Sequence, residues 1–293
     1  MTQPEMTATE KELFKFITKP EVEKRGPIAI LTINRPEAKN ALAGAPGWMF
    51  EYPDLGEYDT YWRELLQDLK YDPNIRVVVI TGAGEAFSAG ADVKQWGASE
   101  AYFKRTGWRP RYGTVIHEGT TMPYLWIRAL HKPSIAMVNG LAVGMGADLA
   151  LACDIRVASE KAWFWWAYIL RGMVPMDGAC WLLPRLVGKA KTLELLMTGK
   201  KVYAEEALRL GIVNQVVPHD QLWDTTLEMA EQIAKGPWAA IQLLRYTVYS
   251  GENQSFQESL DLSMLCANLE RESIAEGMIA QGVEKRAADY TDK

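Results

Sequence analysis

Cysteine and histidine are scarce in this chain, at three residues each. Cys153, Cys180 and Cys266 lie far apart, with neither metal-ligand spacing nor an even-numbered disulfide framework. No metal site is expected, and a reducing compartment, the cytoplasm, is. His117, His131 and His219 are scattered, and no Ser-His-Asp order can be built from them. His131 at a helix end and His219 in a surface turn read as structural, which leaves His117 as the catalytic candidate among them. Positive charge is not in surplus: the net charge of −5 argues against nucleic-acid binding. No apolar run approaches the length of a membrane span, and the polar, acidic start does not read as a signal peptide.

What is present fits an ordinary globular protein, with 48% hydrophobic and 24% charged residues. A chain of 293 residues can bury a full core, and one large domain with an appendage is the expected layout. Residues 1–24 carry little apolar pattern and read as a loose arm. The β-branched runs Pro27 to Ile33 and Arg76 to Thr81 read as strands, as do Ser134 to Val138, a run starting near Asp154, and Ile212 to Val217. Tyr58 to Leu69, Thr121 to Leu130, Ala179 to Leu186, Ala190 to Thr198 and Ala204 to Leu210 have helical spacing. From Gln221 onward the pattern is helical alone: Leu222 to Lys235, Trp238 to Ser250 and Phe256 to Gly277. The expected division is therefore an arm (1–24), an α/β body (25–219) and a helical region (220–293). Aromatic residues cluster over 95–120 and again at Trp163 to Leu170, either as a lid or as a subunit contact.

Two glycine turns end in an aspartate after small residues: Ser88-Ala89-Gly90-Ala91-Asp92 and Gly144-Met145-Gly146-Ala147-Asp148. If they face one another, one backbone N–H from each can grip a single carbonyl oxygen that turns negative during reaction. Donors of this kind are worth about 3 kcal/mol each. Glycine content alone favours the plainer reading, tight turns that pack helices on strands. Asp148 sits among small apolar residues. It is either a first-turn aspartate stabilised by the helix dipole or a buried acid raised toward useful proton transfer. Asp177, in Val174-Pro175-Met176-Asp177-Gly178-Ala179, reads first as an N-cap before Ala179. Its second reading is a partner acid for Asp148, the two splitting acid and base roles.

Motifs that follow one another in order carry a resemblance. They are Asn34-Arg35-Pro36 with Lys39-Asn40-Ala41-Leu42, then Val79-Ile80-Thr81-Gly82 and Phe87 to Asp92. Lys132-Pro133 through Ala152-Cys153-Asp154-Ile155, Leu183-Pro184-Arg185-Leu186-Val187-Gly188, Thr198-Gly199-Lys200 and Ala207 to Val213 continue it. Over about residues 27–290 the chain resembles the crotonase (enoyl-CoA hydratase/isomerase) superfamily. The resemblance implies an α/β fold, a spiral of ββα units with a C-terminal helical trimerisation region, and homotrimers often paired into hexamers. It implies an acyl-CoA substrate, with coenzyme A entering as part of the substrate and not as a separate cofactor. The thioester oxygen would rest on the N–H groups of Ala91 and Met145. Lys39, Ala89, Asp92 and Lys285 match regions that touch CoA.

Ordinary hydratases of that family carry one glutamate where Asp148 stands and a second where Tyr168 stands. Here the first position keeps an acid and the second has lost it, which turns the expectation away from simple hydration. Asp148 resembles the aspartate found at this place in dienoyl-CoA isomerases, which carry another close to Asp177. The expected function is a hydratase or double-bond isomerase acting through a thioester enolate. Asp148 and Asp177 would be its catalytic pair, with Tyr168, Trp96 and Trp166 in the pocket. Those rings imply a bulky or cyclic acyl group. The alternative is a carbon–carbon hydrolase of a cyclic β-diketone, since the Asp177 turn also resembles that of oxocamphor hydrolase.

Overall fold

The computed structural model describes residues 20–42, 57–92, 104–107, 125 and 127–275. Among the described residues ten strands form two sheets. The larger contains β1 (Pro20–Arg25), β2 (Ile28–Ile33), β3 (Val77–Gly82), β5 (Ser134–Val138), β7 (Ile155–Ser159) and β10 (Gln215–Val217), in that spatial order. All neighbours are parallel except β1 and β2. The smaller sheet contains β4 (Ala86–Ser88), β6 (Leu141–Val143), β8 (Trp163–Trp165) and β9 (Val202–Tyr203). Each of β3, β5 and β7 is thus followed a few residues later by a short strand of the second sheet, so the chain advances as a spiral of paired strands.

The central strands are buried on both faces, which explains why they read as continuous apolar runs without alternation. Ala29, Leu31, Ile33, Val78 and Ile80 face a core shared with the second sheet. Ile28, Ile30, Val77, Val79 and Ile135 face outward beneath Leu222, Ala230 and Ala234 of a helix, Leu222–Ala234. The α-helices whose bounds are described are, in chain order, α1 (Glu57–Tyr71), α2 (Met145–Ala152), α3 (Ala179–Thr198), α4 (Ala204–Arg209), α5 (Leu222–Ala234), α6 (Trp238–Gly251) and α7 (Phe256–Ala275). The two helical stretches expected over 179–198 are both present and meet at Gly188, whose φ of 77° and ψ of 159° break the helix between them.

Five short strands, β1, β4, β6, β8 and β9, are not evident from the sequence. β1 takes residues 20–24 out of the expected arm: it is a charged edge strand with one face on β2, and its alternation is too weak to see. β9 is two residues long. Conversely, the strand expected from Ile212 starts at Gln215, because Ile212 and Val213 donate their N–H groups to Ala207 at the end of α4.

α6 is tied to the body by one polar cluster. Asp154 accepts hydrogen bonds from the N–H and hydroxyl of Ser134, from Arg245 Nε at 2.8 Å and from the Tyr249 hydroxyl. No helix among the described residues is long and apolar enough to cross a membrane.

Candidate active site

The two glycine turns do face each other. A Cβ on Gly90 would lie 2.3 Å from the Val143 carbonyl oxygen and 3.1 Å from Met145 N. A Cβ on Gly146 would lie 2.4 Å from the Ser88 carbonyl oxygen. Each turn therefore needs glycine because the other turn's backbone occupies the space a side chain would take. Gly90 and Gly144 also have φ of 80° and 50°, conformations that side chains resist.

Two asparagines hold the first turn in place. Asn40 Nδ2 donates to the carbonyls of Ala83 and Ala86, and Asn139 Nδ2 donates to those of Gly82 and Gly84. Leu42 N–H bonds the Gly90 carbonyl at 2.7 Å, and Asp92 N–H bonds the Leu42 carbonyl at 3.0 Å. In a parallel bridge of this kind the intervening residue, Ala91, turns its own N–H away from Leu42. Ala91 lines a cavity of about 390 Å³, and so does Met145, the first residue of α2. A helix start there adds the positive end of the dipole to the same place.

The opposite wall carries the titratable groups. Tyr168, on a 3-10 turn (Ala167–Arg171), and Asp177 both line the cavity. The Tyr168 hydroxyl lies 2.8 Å from Asp148 Oδ2 and 2.9 Å from Asp177 Oδ2. Trp166 Nε1–H donates to Asp148 Oδ1 at 2.9 Å. Asp148 is 0% exposed, Asp177 3% and Tyr168 7%. Burial first, and then the charge of Asp177, push the Asp148 carboxyl up to about 8, against the smaller opposing effect of its bonds to Tyr168 and Trp166.

One phenolic proton cannot serve two carboxylates at once. Two contacts below 3 Å from one hydroxyl call for a second proton among the three groups, and burial favours holding it on Asp148. The Tyr168 hydroxyl thereby links the sealed Asp148 to Asp177, which borders the cavity.

The enoyl-CoA hydratase/isomerase family profile matches residues 23–293. The chain belongs to the enoyl-CoA hydratase/isomerase family. It is 37% identical over 280 residues to a protein of Mycobacterium tuberculosis described as a probable enoyl-CoA hydratase, covering 92% of this chain and 90% of that one. It is 32% identical to the 1,2-epoxyphenylacetyl-CoA isomerase of Escherichia coli, over 91% of this chain and 95% of that one. A solved probable enoyl-CoA hydratase/isomerase from Mycobacterium abscessus superposes with a TM-score of 0.74 at 31% identity, covering 90% of this chain and 96% of that one. The protein is an enzyme of the hydratase/isomerase type.

Against this family background the expected site residues separate into three groups. Ala89, Ala91, Met145, Tyr168 and Asp177 line the cavity together. Asp148 and Trp166 stand behind it. Trp166 is a correction: it is fully buried and stacked on Phe164, with centroids 6.1 Å apart, and the cavity wall is formed by Trp165 instead. In the β8 run alternate rings point to opposite sides, and which set faces the cavity is a matter of register. Asp148 is not a bare first-turn aspartate either, since its oxygens bond side chains.

Asp177 is not an N-cap. Gly178 occupies that position, without a side-chain cap bond, and Asp177 turns to Tyr168. Asp92 is buried in an ion pair with Arg35 at 2.8 Å and does not line the cavity. Lys39 is exposed in the left-handed conformation, and its carbonyl accepts the Ala89 N–H at 2.9 Å, joining it to the cavity turn. Trp96, His117 and Lys285 lie outside the described residues. Leu170, Arg171, Met173 and Met176 also line the cavity, and nothing in the sequence pattern had singled them out. Among the described residues no three His, Cys, Asp or Glu side chains group as metal ligands.

Proposed function

We propose that this enzyme shifts a double bond in an enoyl-CoA by moving a proton through a thioester enolate, and that isomerisation outpaces hydration. The observation carrying this reading is that Ala91 and Met145 line one cavity with Asp177. The backbone N–H groups of the first two receive the thioester oxygen, which lowers the cost of charge building there. Asp177, ionised at the cavity wall, takes the proton from the acyl carbon next to the thioester. Hydration needs a water held between two ionisable groups over the double bond; here one carboxylate faces the cavity and the second is sealed behind Tyr168.

The acyl group in this proposal is bulky or cyclic. Trp165, Tyr168, Leu170, Met173 and Met176 form a broad apolar lining, and thioether side chains adapt to irregular shapes. The relative from Escherichia coli is itself named for a substrate with an aromatic ring. The relatives reported above give no support to the carbon–carbon hydrolase reading. CoA contacts at Lys39, Ala89 and Lys285, a cytoplasmic location and a homotrimer or hexamer belong to the same proposal. For assembly, Leu244 and Val248 on α6 and Phe256, Met264 and Leu265 on α7 are exposed apolar residues of the kind that subunits cover.

The test is a panel of CoA thioesters. Turnover of 3-enoyl-CoA to 2-enoyl-CoA is expected to exceed hydration of crotonyl-CoA at least tenfold, with cyclic or aryl-bearing acyl groups favoured over straight ones. Crotonyl-CoA hydration as fast as isomerisation would overturn the isomerase assignment.

A further inference from the structure

We infer that Tyr168 is a catalytic proton relay: it delivers to the substrate a proton stored on Asp148, while Asp177 collects the proton the substrate gives up. The inference rests on the function proposed above. Its geometric basis is the bridging hydroxyl, 2.8 Å from one carboxyl and 2.9 Å from the other, on a residue that itself lines the cavity. Trp166 fixes the far oxygen of Asp148 as an acceptor, so the acid proton of Asp148 resides on Oδ2, the oxygen that meets Tyr168.

The steps balance without any added reactant. Asp177 takes a proton from Cα of a 3-enoyl thioester, and the C–H electron pair delocalises as the dienolate against Ala91 and Met145. Tyr168 then donates its hydroxyl proton to Cγ as the electron pair returns to form the new Cα–Cβ double bond. Asp148 replaces the proton on Tyr168 and becomes charged. The proton on Asp177 next passes to Tyr168, whose own hydroxyl proton moves to Asp148, and the starting state is restored. One proton has left Cα and another has reached Cγ.

The titratable groups facing Asp148 are Tyr168, Asp177 and Cys180, whose thiol is pushed up by burial and then by the charge of Asp148. Arg171 is the other charged residue of the cavity lining. Burial makes a charged Asp148 costly, which returns the proton to it at the end of each cycle.

Two measurements test the relay, and the first needs no substrate. Infrared difference spectra of the whole protein between pH 6 and pH 10 should show a protonated carboxylic acid band that disappears with rising pH. It should be missing in Asp148→Asn, whose amide keeps both hydrogen bonds. In Tyr168→Phe its midpoint should move upward, because once Asp148 has ionised it no longer has the hydroxyl that would donate to it. Absence of such a band, or its survival in Asp148→Asn, overturns the relay even if the enzyme is an isomerase. The second measurement is turnover in deuterium oxide. Wild-type product should carry solvent deuterium at Cγ. Tyr168→Phe should lose about 100-fold or more in kcat with KM within threefold, and its residual product should retain more of the substrate's own proton. Unchanged kcat and labelling in Tyr168→Phe overturns the relay. Failure of the wild type to turn over any enoyl-CoA strikes the proposed function instead, and the infrared titration still decides where the proton is held.

Discussion

Trp166 Nε1 lies 2.9 Å from Oδ1 of Asp148, so the acid on α2 is held from behind by an aromatic residue buried outside the cavity. Trp166→Phe keeps most of the ring volume and removes the donor. The variant is expected to lose about 1–2 kcal/mol of stability, read from urea unfolding, because a buried acceptor loses its partner. The infrared midpoint of Asp148 should rise as well. No stability loss and an unmoved midpoint would mean that this bond does not hold Asp148.

The raised pKa of Asp148 makes a signed prediction for stability. Its ordinary value is 3.8 and its folded value about 8, so between them the folded protein binds more protons at this group than the unfolded chain. The stability contributed is complete below pH 4 and falls as pH rises toward 8. Asp148→Asn removes this slope, and its stability relative to wild type should improve by a few kcal/mol between pH 4.5 and pH 8.5. Urea titrations at the two pH values check it; a relative stability independent of pH contradicts it.

The contact between the two glycine turns predicts a loss of catalysis without unfolding. Gly90→Ala adds a Cβ that would sit 2.3 Å from the Val143 carbonyl oxygen, at a φ of 80°. The turns must separate, carrying Ala91 N–H away from Met145 N–H. A drop in kcat of about 100-fold or more is expected, the size seen when one donor of such a pair is lost. Circular dichroism should stay close to wild type. Full activity in Gly90→Ala would show that the spacing of these two residues is not critical.

The hold on α6 is equally specific. Arg245→Ala leaves the carboxylate of Asp154 without its 2.8 Å ion pair in a partly buried site. A loss of about 2–4 kcal/mol is expected, with faster amide exchange in α6 than in α5. Uniform exchange across both helices would argue against local loosening.

Much of this architecture is legible in the sequence because long elements carry their own pattern. The β-branched runs of β2 and β3, the helical spacing of α1, α5 and α6, and the glycines flanking Ala91 and Met145 report geometry directly. Asp148 and Asp177 stand out as acids among apolar or turn residues. Short segments are where the pattern fails. From Trp163 to Trp166 every residue is aromatic, on both faces, so composition cannot say whether Trp165 or Trp166 reaches the cavity. The role of Tyr168 depends on two acids, 20 residues before it and 9 after, meeting at one hydroxyl. Asp92 resembled a ligand contact because its partner, Arg35, is 57 residues away in the chain.

The central claim is that Asp177, ionised at the cavity wall beside Ala91 and Met145, removes the proton from the bound thioester. Steady-state kinetics of Asp177→Asn on a 3-enoyl-CoA that the wild type isomerises test it most directly. A kcat lowered about 1,000-fold with KM within threefold is the predicted result. A variant that keeps kcat within threefold of wild type would contradict the account.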